Sequence, residues 1–241
     1  MALLAVHDLS KQFRGLRALH QVSLAIEAQE IVGVIGPNGS GKTTLFEVIS
    51  GFLRPTSGRV VFDGRRIDGL TPERIARLGV GRTFQIVEPF LDLTLSETVQ
   101  VGLLFGTRHR RSGRALQAEA QALLARVGLG EKAKGPARHL SLGELKRLEL
   151  ARALSIHPRL LLLDELLAGL SPQAVSEVIA LLRQVRQAGC AILIIDHTPR
   201  LLAGVADRLI VLAHGAKLAE GPPEAVLQQR DVAEAYMGES G

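Results

Sequence analysis

The stretch Gly36-Pro37-Asn38-Gly39-Ser40-Gly41-Lys42-Thr43-Thr44 constrains this chain more than any other. It follows the apolar run Ile31 to Ile35 and opens a helical pattern, Thr43 to Ile49, that stops at Gly51. A strand, a glycine-rich turn and a helix in that order, spaced G-x-x-x-x-G-K-[ST], make a cradle for phosphate. The glycines let successive backbone N–H groups point inward around an anion. The helix start adds the positive end of its dipole. Lys42 supplies a full charge for the β- and γ-phosphates of a nucleotide, and the Thr43 hydroxyl is a ligand for Mg²⁺.

A second apolar run, Leu160 to Leu163, ends in Asp164-Glu165. A buried strand that delivers two carboxylates at its C-terminal end sets them beside the phosphate loop of a parallel sheet. Asp164 is then placed to hold Mg²⁺, and Glu165 to polarise an attacking water. Next to a phosphate loop this reading outweighs a solvated strand end.

Val22 to Ile26 and Glu30 to Ile35 read as strands joined by a polar turn, and Gly58 to Phe62 as another, closed by Asp63-Gly64. From about Glu88 to Leu154 the pattern turns helical, with Leu116, Ala120, Leu123 and Val127 at helical spacing. Strands return at Leu160–Leu163, Ala191–Ile195 and Leu209–Leu212, with a helix between the first two. The expected fold is α/β: a nucleotide-binding core of parallel sheet and flanking helices, a small N-terminal antiparallel sheet, and an inserted helical subdomain. Residues 1–85 and 155–225 are assigned to the core with its β subdomain, 86–154 to the helical subdomain and 226–241 to a C-terminal tail.

The bulk numbers agree with an ordinary globular protein and exclude little else. Of 241 residues, 46% are hydrophobic and only 3% aromatic, so the core rests on Leu, Val, Ile and Ala. A net charge of +5 is too modest to argue for nucleic acid. One cysteine, Cys190, forbids an internal disulfide and begins an apolar run, as a buried thiol does. No run approaches the roughly 18 to 20 apolar residues that cross a bilayer, and polar residues at His7 and Asp8 come too early for a secretory signal. The chain is therefore expected in the cytosol, reaching a membrane only through a partner. The basic run Arg108 to Arg114 fits a solvated loop or a contact with lipid headgroups or an acidic partner.

Leu140-Ser141-Leu142-Gly143-Glu144, followed by Leu145-Lys146-Arg147, resembles the signature motif of the ATP-binding cassette (ABC) ATPases, and it precedes the Asp164 strand as it does in that family. Ser141 and Glu144 also make an S-x-x-E capping box, so a helix starts there. Gln85, in Arg82-Thr83-Phe84-Gln85, resembles the loop that senses Mg²⁺ and leads into the helical subdomain. His197 resembles the switch histidine that contacts the γ-phosphate, and Phe13 sits where the family stacks an aromatic ring on adenine. Together these cover residues from about 11 to 200.

The resemblance implies a subunit that hydrolyses Mg-ATP as a head-to-tail dimer. Gly36, Pro37, Asn38, Gly39, Ser40, Gly41, Lys42, Thr43, Thr44 and Phe13 would bind nucleotide. Ser141 and Gly143 would cap the mate's ATP. Glu165, His197, Lys42 and Gln85 would be catalytic, with Thr43, Gln85 and Asp164 on Mg²⁺. Arg82 to Gln85, Arg147 to Arg152 and the ending Val232 to Gly238 are similar to the branched-chain amino acid importers. That implies transmembrane permease subunits, a second ATPase subunit, a substrate-binding protein, and a seat on the cytoplasmic face of the membrane. Phe84, Ile86, Pro89 and Phe90 would line the permease socket. A lipopolysaccharide-type exporter ATPase fits Asp196-His197 as well. A soluble ABC ATPase for ribosomes or DNA and a phosphate-loop kinase are the rivals from other classes. The first lacks its usual second cassette or coiled coil here, and the second has no use for Ser141 or His197. No direct nucleic acid partner is expected.

Four positions depart from the family pattern. Leu142 stands for a Gly, Glu144 for a Gln, Leu166 for a Pro, and Ser171 for an Asp or Asn. All fall near the dimer face, which is what a chain that pairs with a different ATPase subunit would show.

Overall fold

A computed structural model of the chain describes residues 2–83, 90, 92–106, 113–196 and 198–237. Gln85, His197, Phe84, Ile86, Pro89 and most of the basic run at 108–112 lie outside the described residues.

Two sheets carry the fold. The larger is six-stranded, with β3 (Ile31–Ile35) at its middle, β8 (Ala191–Ile195), β7 (Leu160–Asp164) and β6 (Val80–Arg82) on one side, and β9 (Arg208–Ala213) and β10 (Ala216–Gly221) on the other. All neighbours are parallel except the β9–β10 pair. The smaller sheet is antiparallel and combines β1 (Leu4–Phe13), β2 (Leu16–Ile26), β4 (Ser57–Phe62) and β5 (Arg65–Arg66) in the order β2-β1-β4-β5.

Every residue of β3, β7 and β8 is buried. Strands covered on both faces read as unbroken apolar runs, which is why these three stand out in the sequence. Their side chains alternate between two cores. Ile35, Leu161, Leu163, Ile192 and Ile194 join a core that includes the helices α3 (Leu95–Gly106), α4 (Arg114–Arg126), α5 (Leu142–Ser155) and α6 (Pro172–Gln187). Val32, Val34, Leu160, Leu162, Leu193 and Ile195 join the other, with α1 (Lys42–Ile49) and the antiparallel sheet.

β2 and β3 are separate from each other: the polar turn at residues 27–30 carries the chain from one sheet to the other, so Val22–Ile26 and Ile31–Ile35 do not form a hairpin. Between β6 and β7 the described residues supply α3, α4 and α5, with two short 3₁₀ turns. Among the described residues no helix is long and apolar enough to cross a membrane.

Candidate active site

The strand ends are level. Val34 pairs with Ile195, and Ile195 with Asp164. The carboxyl ends of β3, β8 and β7 therefore stop abreast, and Gly36, Asp196 and Glu165 leave the sheet side by side. In an open parallel sheet this crevice is where a ligand sits.

From β3 the chain enters the glycine turn. Gly36 has φ 151°, and a Cβ there would lie 2.1 Å from the Leu212 carbonyl oxygen. Gly41 has φ 102°, and its Cβ would lie 2.5 Å from the Ala18 carbonyl oxygen. No side chain fits at either position, so the turn is closed by backbone packed on backbone. Pro37 and Ser40 are buried, Asn38, Gly39 and Thr43 are exposed, and Thr44 is half-buried. Lys42 is buried at the start of α1, where its Nζ donates to the Gly36 and Pro37 carbonyls at 2.6 and 2.8 Å. The Ser40 hydroxyl is buried with no hydrogen-bond partner among the described residues. An orphaned hydroxyl inside a glycine turn matches an incoming phosphate oxygen.

The hairpin β1–β2 flanks this loop. Ala18 of β2 packs on Gly41, and Phe13 pairs with Leu16 at the tip of the same hairpin. Phe13 is exposed, with Lys11 Nζ 4.9 Å from its ring centre. Phe13 thus keeps a partly exposed ring on the hairpin that packs against the glycine turn.

Asp164 closes β7 and is buried. Its carboxylate Oδ2 lies 3.5 Å from Arg82 Nη2, and its backbone N–H donates to Thr83 Oγ1 at 3.3 Å. Burial pushes the Asp164 carboxyl above the usual carboxylate range, while the Arg82 guanidinium pulls the other way. Arg82 is itself desolvated, which lowers its pKa against the pull of Asp164. Nη1 of Arg82 donates to Ser50 Oγ at 2.8 Å, and its guanidinium faces the Phe52 ring at 5.4 Å. The neighbouring Glu165 has φ 49°, a left-handed conformation uncommon outside glycine, and its N–H donates to Ile195 O at 3.0 Å.

Thr43 and Asp164, among the described residues, offer oxygen donors to a metal at this crevice. Among the described residues no group of three or more His, Cys, Asp or Glu could hold an ion alone. That set fits Mg²⁺, which keeps its waters and takes one or two protein oxygens besides those of a phosphate chain. It would suit zinc poorly.

Ser141 caps α5. Its Oγ accepts from the Glu144 N–H at 3.4 Å, and its own N–H donates to Glu144 Oε2 at 3.0 Å, so the capping box forms. Lys132 Nζ holds Glu144 Oε1 at 2.5 Å, and this bond, with the Ser141 N–H, keeps the Glu144 carboxyl down at about 2. Leu142 is 53% exposed. A Cβ added to Gly143 would lie 3.4 Å from Leu170 Cδ2, and one added to Gly169 would lie 3.5 Å from Leu142 Cδ2. The turn at Ser141 thus rests on the loop 168–171 of its own chain and turns an apolar side chain outward. Ser171 caps α6, its Oγ accepting from the Ala174 N–H at 3.3 Å.

Sequence reasoning overlooked the role of Arg82 and Thr83, which it read only as part of a motif ahead of Gln85. Lys146 stood there only as one residue of the stretch that follows the signature, with no role of its own. Neither Arg82 nor Lys146 carries a local signal, because the partners lie far off in sequence.

Comparison with known proteins points one way. The family model described as "ABC transporter" matches residues 19–168. The high-affinity branched-chain amino acid transport ATP-binding protein LivG of Salmonella typhimurium (strain LT2) is 40% identical, with 99% of this chain and 98% of that protein aligned. The ADP conformation of MJ1267, an ATP-binding cassette of an ABC transporter, superposes with a TM-score of 0.90 at 30% identity, covering 99% of both chains. A dimeric, post-hydrolysis form of the cassette MJ0796 bound to ADP and Pi gives 0.84 at 26% identity, over 91% of this chain and 98% of that one.

Proposed function

This chain belongs to the ABC transporter family of ATP-binding proteins, and from that premise we propose that it powers a branched-chain amino acid importer. It is an ATPase of the cassette fold. The observation that carries the importer reading is the end-to-end match to LivG, whose 40% identity spans 99% of this chain.

The roles of the side chains are proposed as follows. The backbone of Gly36 to Thr44, with Lys42 and Ser40, cradles the phosphates. Lys42 exchanges the carbonyls of Gly36 and Pro37 for phosphate oxygens, a swap that strengthens because a full charge gains a charged partner. Phe13 stacks on the base. Thr43, Asp164 and Gln85 would hold Mg²⁺, which neutralises charge on the β- and γ-phosphates. Glu165 accepts a proton from the attacking water, and His197 contacts the γ-phosphate.

Ser141 and Gly143 act on the nucleotide of a second ATPase subunit. A γ-phosphate between the start of α1 on one chain and the start of α5 on the other is stabilised by two positive helix ends, and only while the pair is closed. Hydrolysis removes that link and opens the pair. The exposed Leu142 and the Ser171 cap suit a mate of different sequence.

A cleft of about 310 Å³ between α2 (Pro72–Leu78), α3 and α5 is lined by Phe52, Ile75, Val101, Gly102 and Arg152. Phe90 is exposed nearby, over the Arg152 guanidinium at 5.1 Å. This cleft would seat a helix of a permease subunit and hold the chain at the cytoplasmic face. A substrate-binding protein would complete the importer.

The test is reconstitution. Glu165→Gln should bind ATP and stop both hydrolysis and uptake of branched-chain amino acids in membranes carrying the permease subunits. Uptake of an unrelated solute, with none of these amino acids, would overturn the importer reading.

A further inference from the structure

Lys146 lies in the second turn of α5, a charged side chain that is 8% exposed. Lysine is almost never so buried unless its ammonium group is satisfied. Here Nζ donates to the Glu165 carbonyl at 2.7 Å and to the Ala168 carbonyl at 2.5 Å. Both acceptors belong to the turn that leaves β7. Burial pulls the Lys146 pKa down, and the carboxylates of Asp196 and Glu165 oppose that shift.

Glu165 needs such support. Its φ of 49° is strained for an L-residue and persists only where the surroundings impose it. Its peptide is held from both sides. The N–H of Glu165 donates to Ile195 O at the end of β8, and its carbonyl accepts from Lys146. The second bond, to Ala168, closes the turn further along. Ala168 starts the loop on which Leu142 rests. One ammonium group therefore joins α5 to the turn that presents Glu165.

We propose that Lys146 is a positioning residue: it clamps the 165–168 turn to α5, sets the Glu165 carboxylate for hydrolysis, and ties that setting to the helix whose first turn meets the mate's nucleotide. The inference rests on the reading of Glu165 as the group that accepts the water's proton. A rigid tie between the two segments would let closure over one nucleotide be felt at the other. It also explains why a buried cation stands on a helix that could have carried leucine there.

The test compares Lys146→Met, Lys146→Gln, Lys146→Arg and Glu165→Gln in the full chain, assembled with its transporter. In Lys146→Met, kcat should fall roughly 10- to 100-fold through misplacement of the carboxylate. KM and the Kd for ATP should stay within about threefold, because the phosphate loop is untouched. Lys146→Arg, still a long cation with several donors, should recover most of the rate. Lys146→Gln should lie between and serves if the Met variant does not fold. Adding Lys146→Met to Glu165→Gln should cost nothing further, since both act through one group. A Met variant with unchanged kcat, an additive loss on Glu165→Gln, or a loss that follows the melting temperature and is not rescued by Arg would each overturn the clamp. If Glu165→Gln itself keeps turning over, the reading of the site fails first and takes the clamp with it.

Discussion

Arg82 and Asp164 face each other at 3.5 Å inside the sheet edge, each from the end of a parallel strand and each largely out of water. Arg82 is at once the counter-charge of Asp164 and a donor to Ser50. Ser50 in turn caps the last turn of α1 by donating to Phe46 O at 2.6 Å. The ion pair thus links the carboxylate strand to the phosphate-loop helix. Replacing Arg82 by Met should leave Asp164 buried without its partner and push its pKa higher still. The sign follows. An acid whose folded pKa exceeds its unfolded value costs stability once pH rises above the unfolded value, and the full cost is reached above the folded one. The variant should lose roughly 1–3 kcal/mol at pH 8 and clearly less near pH 5, where Asp164 is closer to neutral. Urea denaturation at the two pH values measures the difference; an equal loss at both would rule the electrostatic account out.

Cys190 lies just ahead of β8, buried, with its thiol pushed up to about 12 by desolvation. The thiolate is the reactive form, so a folded chain at pH 8 offers almost none of it. A thiol reagent should label the native protein only as fast as the protein opens, and at once in denaturant. Fast native labelling would contradict the burial.

The sequence reading succeeded where physics is local. The glycine turn between β3 and α1, the runs that became β3, β7 and β8, and the capping box at Ser141 are each written in a few adjacent residues. It failed at β1, where Asp8 adopts φ 46° and the pairing with β2 shifts between Val6 and Leu9. Buried Leu4, Val6 and Leu9 are then spaced two and three apart, and the period of two that marks a strand is lost. Arg82 and Lys146 were illegible for another reason. Their partners are 82 and 19 residues away, carbonyls and carboxylates whose nearness exists only once the sheet is built. Polar groups with remote partners carry no local signature.

Glu144 gives a second test of electrostatics, with opposite sign. Its carboxyl is held at about 2, below its ordinary 4.5, first by Lys132 and then by the Ser141 N–H. A depressed folded pKa contributes stability above pH 4.5 that is lost as pH falls toward 2. Lys132 is half exposed, so solvent screens much of this. Glu144→Gln keeps an acceptor for the Ser141 N–H and drops only the ion pair. It should cost no more than about 1 kcal/mol at pH 7, and the gap should shrink both near pH 2 and in molar salt. Thermal melts across that range read it directly, and a gap that is insensitive to both would refute the pairing.

Ser141 carries two duties that substitution can separate. As the N-cap of α5 its Oγ satisfies the Glu144 N–H, and Ser141→Ala should cost about 1 kcal/mol. As the group proposed to meet the mate's γ-phosphate it must also be neutral. Aspartate caps helices as well as serine does, but here it would lose the bond that Ser141 Oγ donates to Glu144 Oε2 at 3.1 Å and set two carboxylates side by side. Ser141→Asp is therefore made in a Glu144→Gln background, where the melting temperature should stay close to that of Glu144→Gln alone. Its carboxylate, however, would face a triphosphate across the closed pair, and like charges there repel through a poorly screened gap. In that background Ser141→Asp should change stability little, bind ATP on Lys42 normally, and lose ATP-driven pairing and turnover. Size-exclusion profiles with ATP in a Glu165→Gln background, together with ATPase rates, separate the duties. A Ser141→Asp chain that pairs and hydrolyses normally would show that the first turn of α5 does not reach the opposing nucleotide.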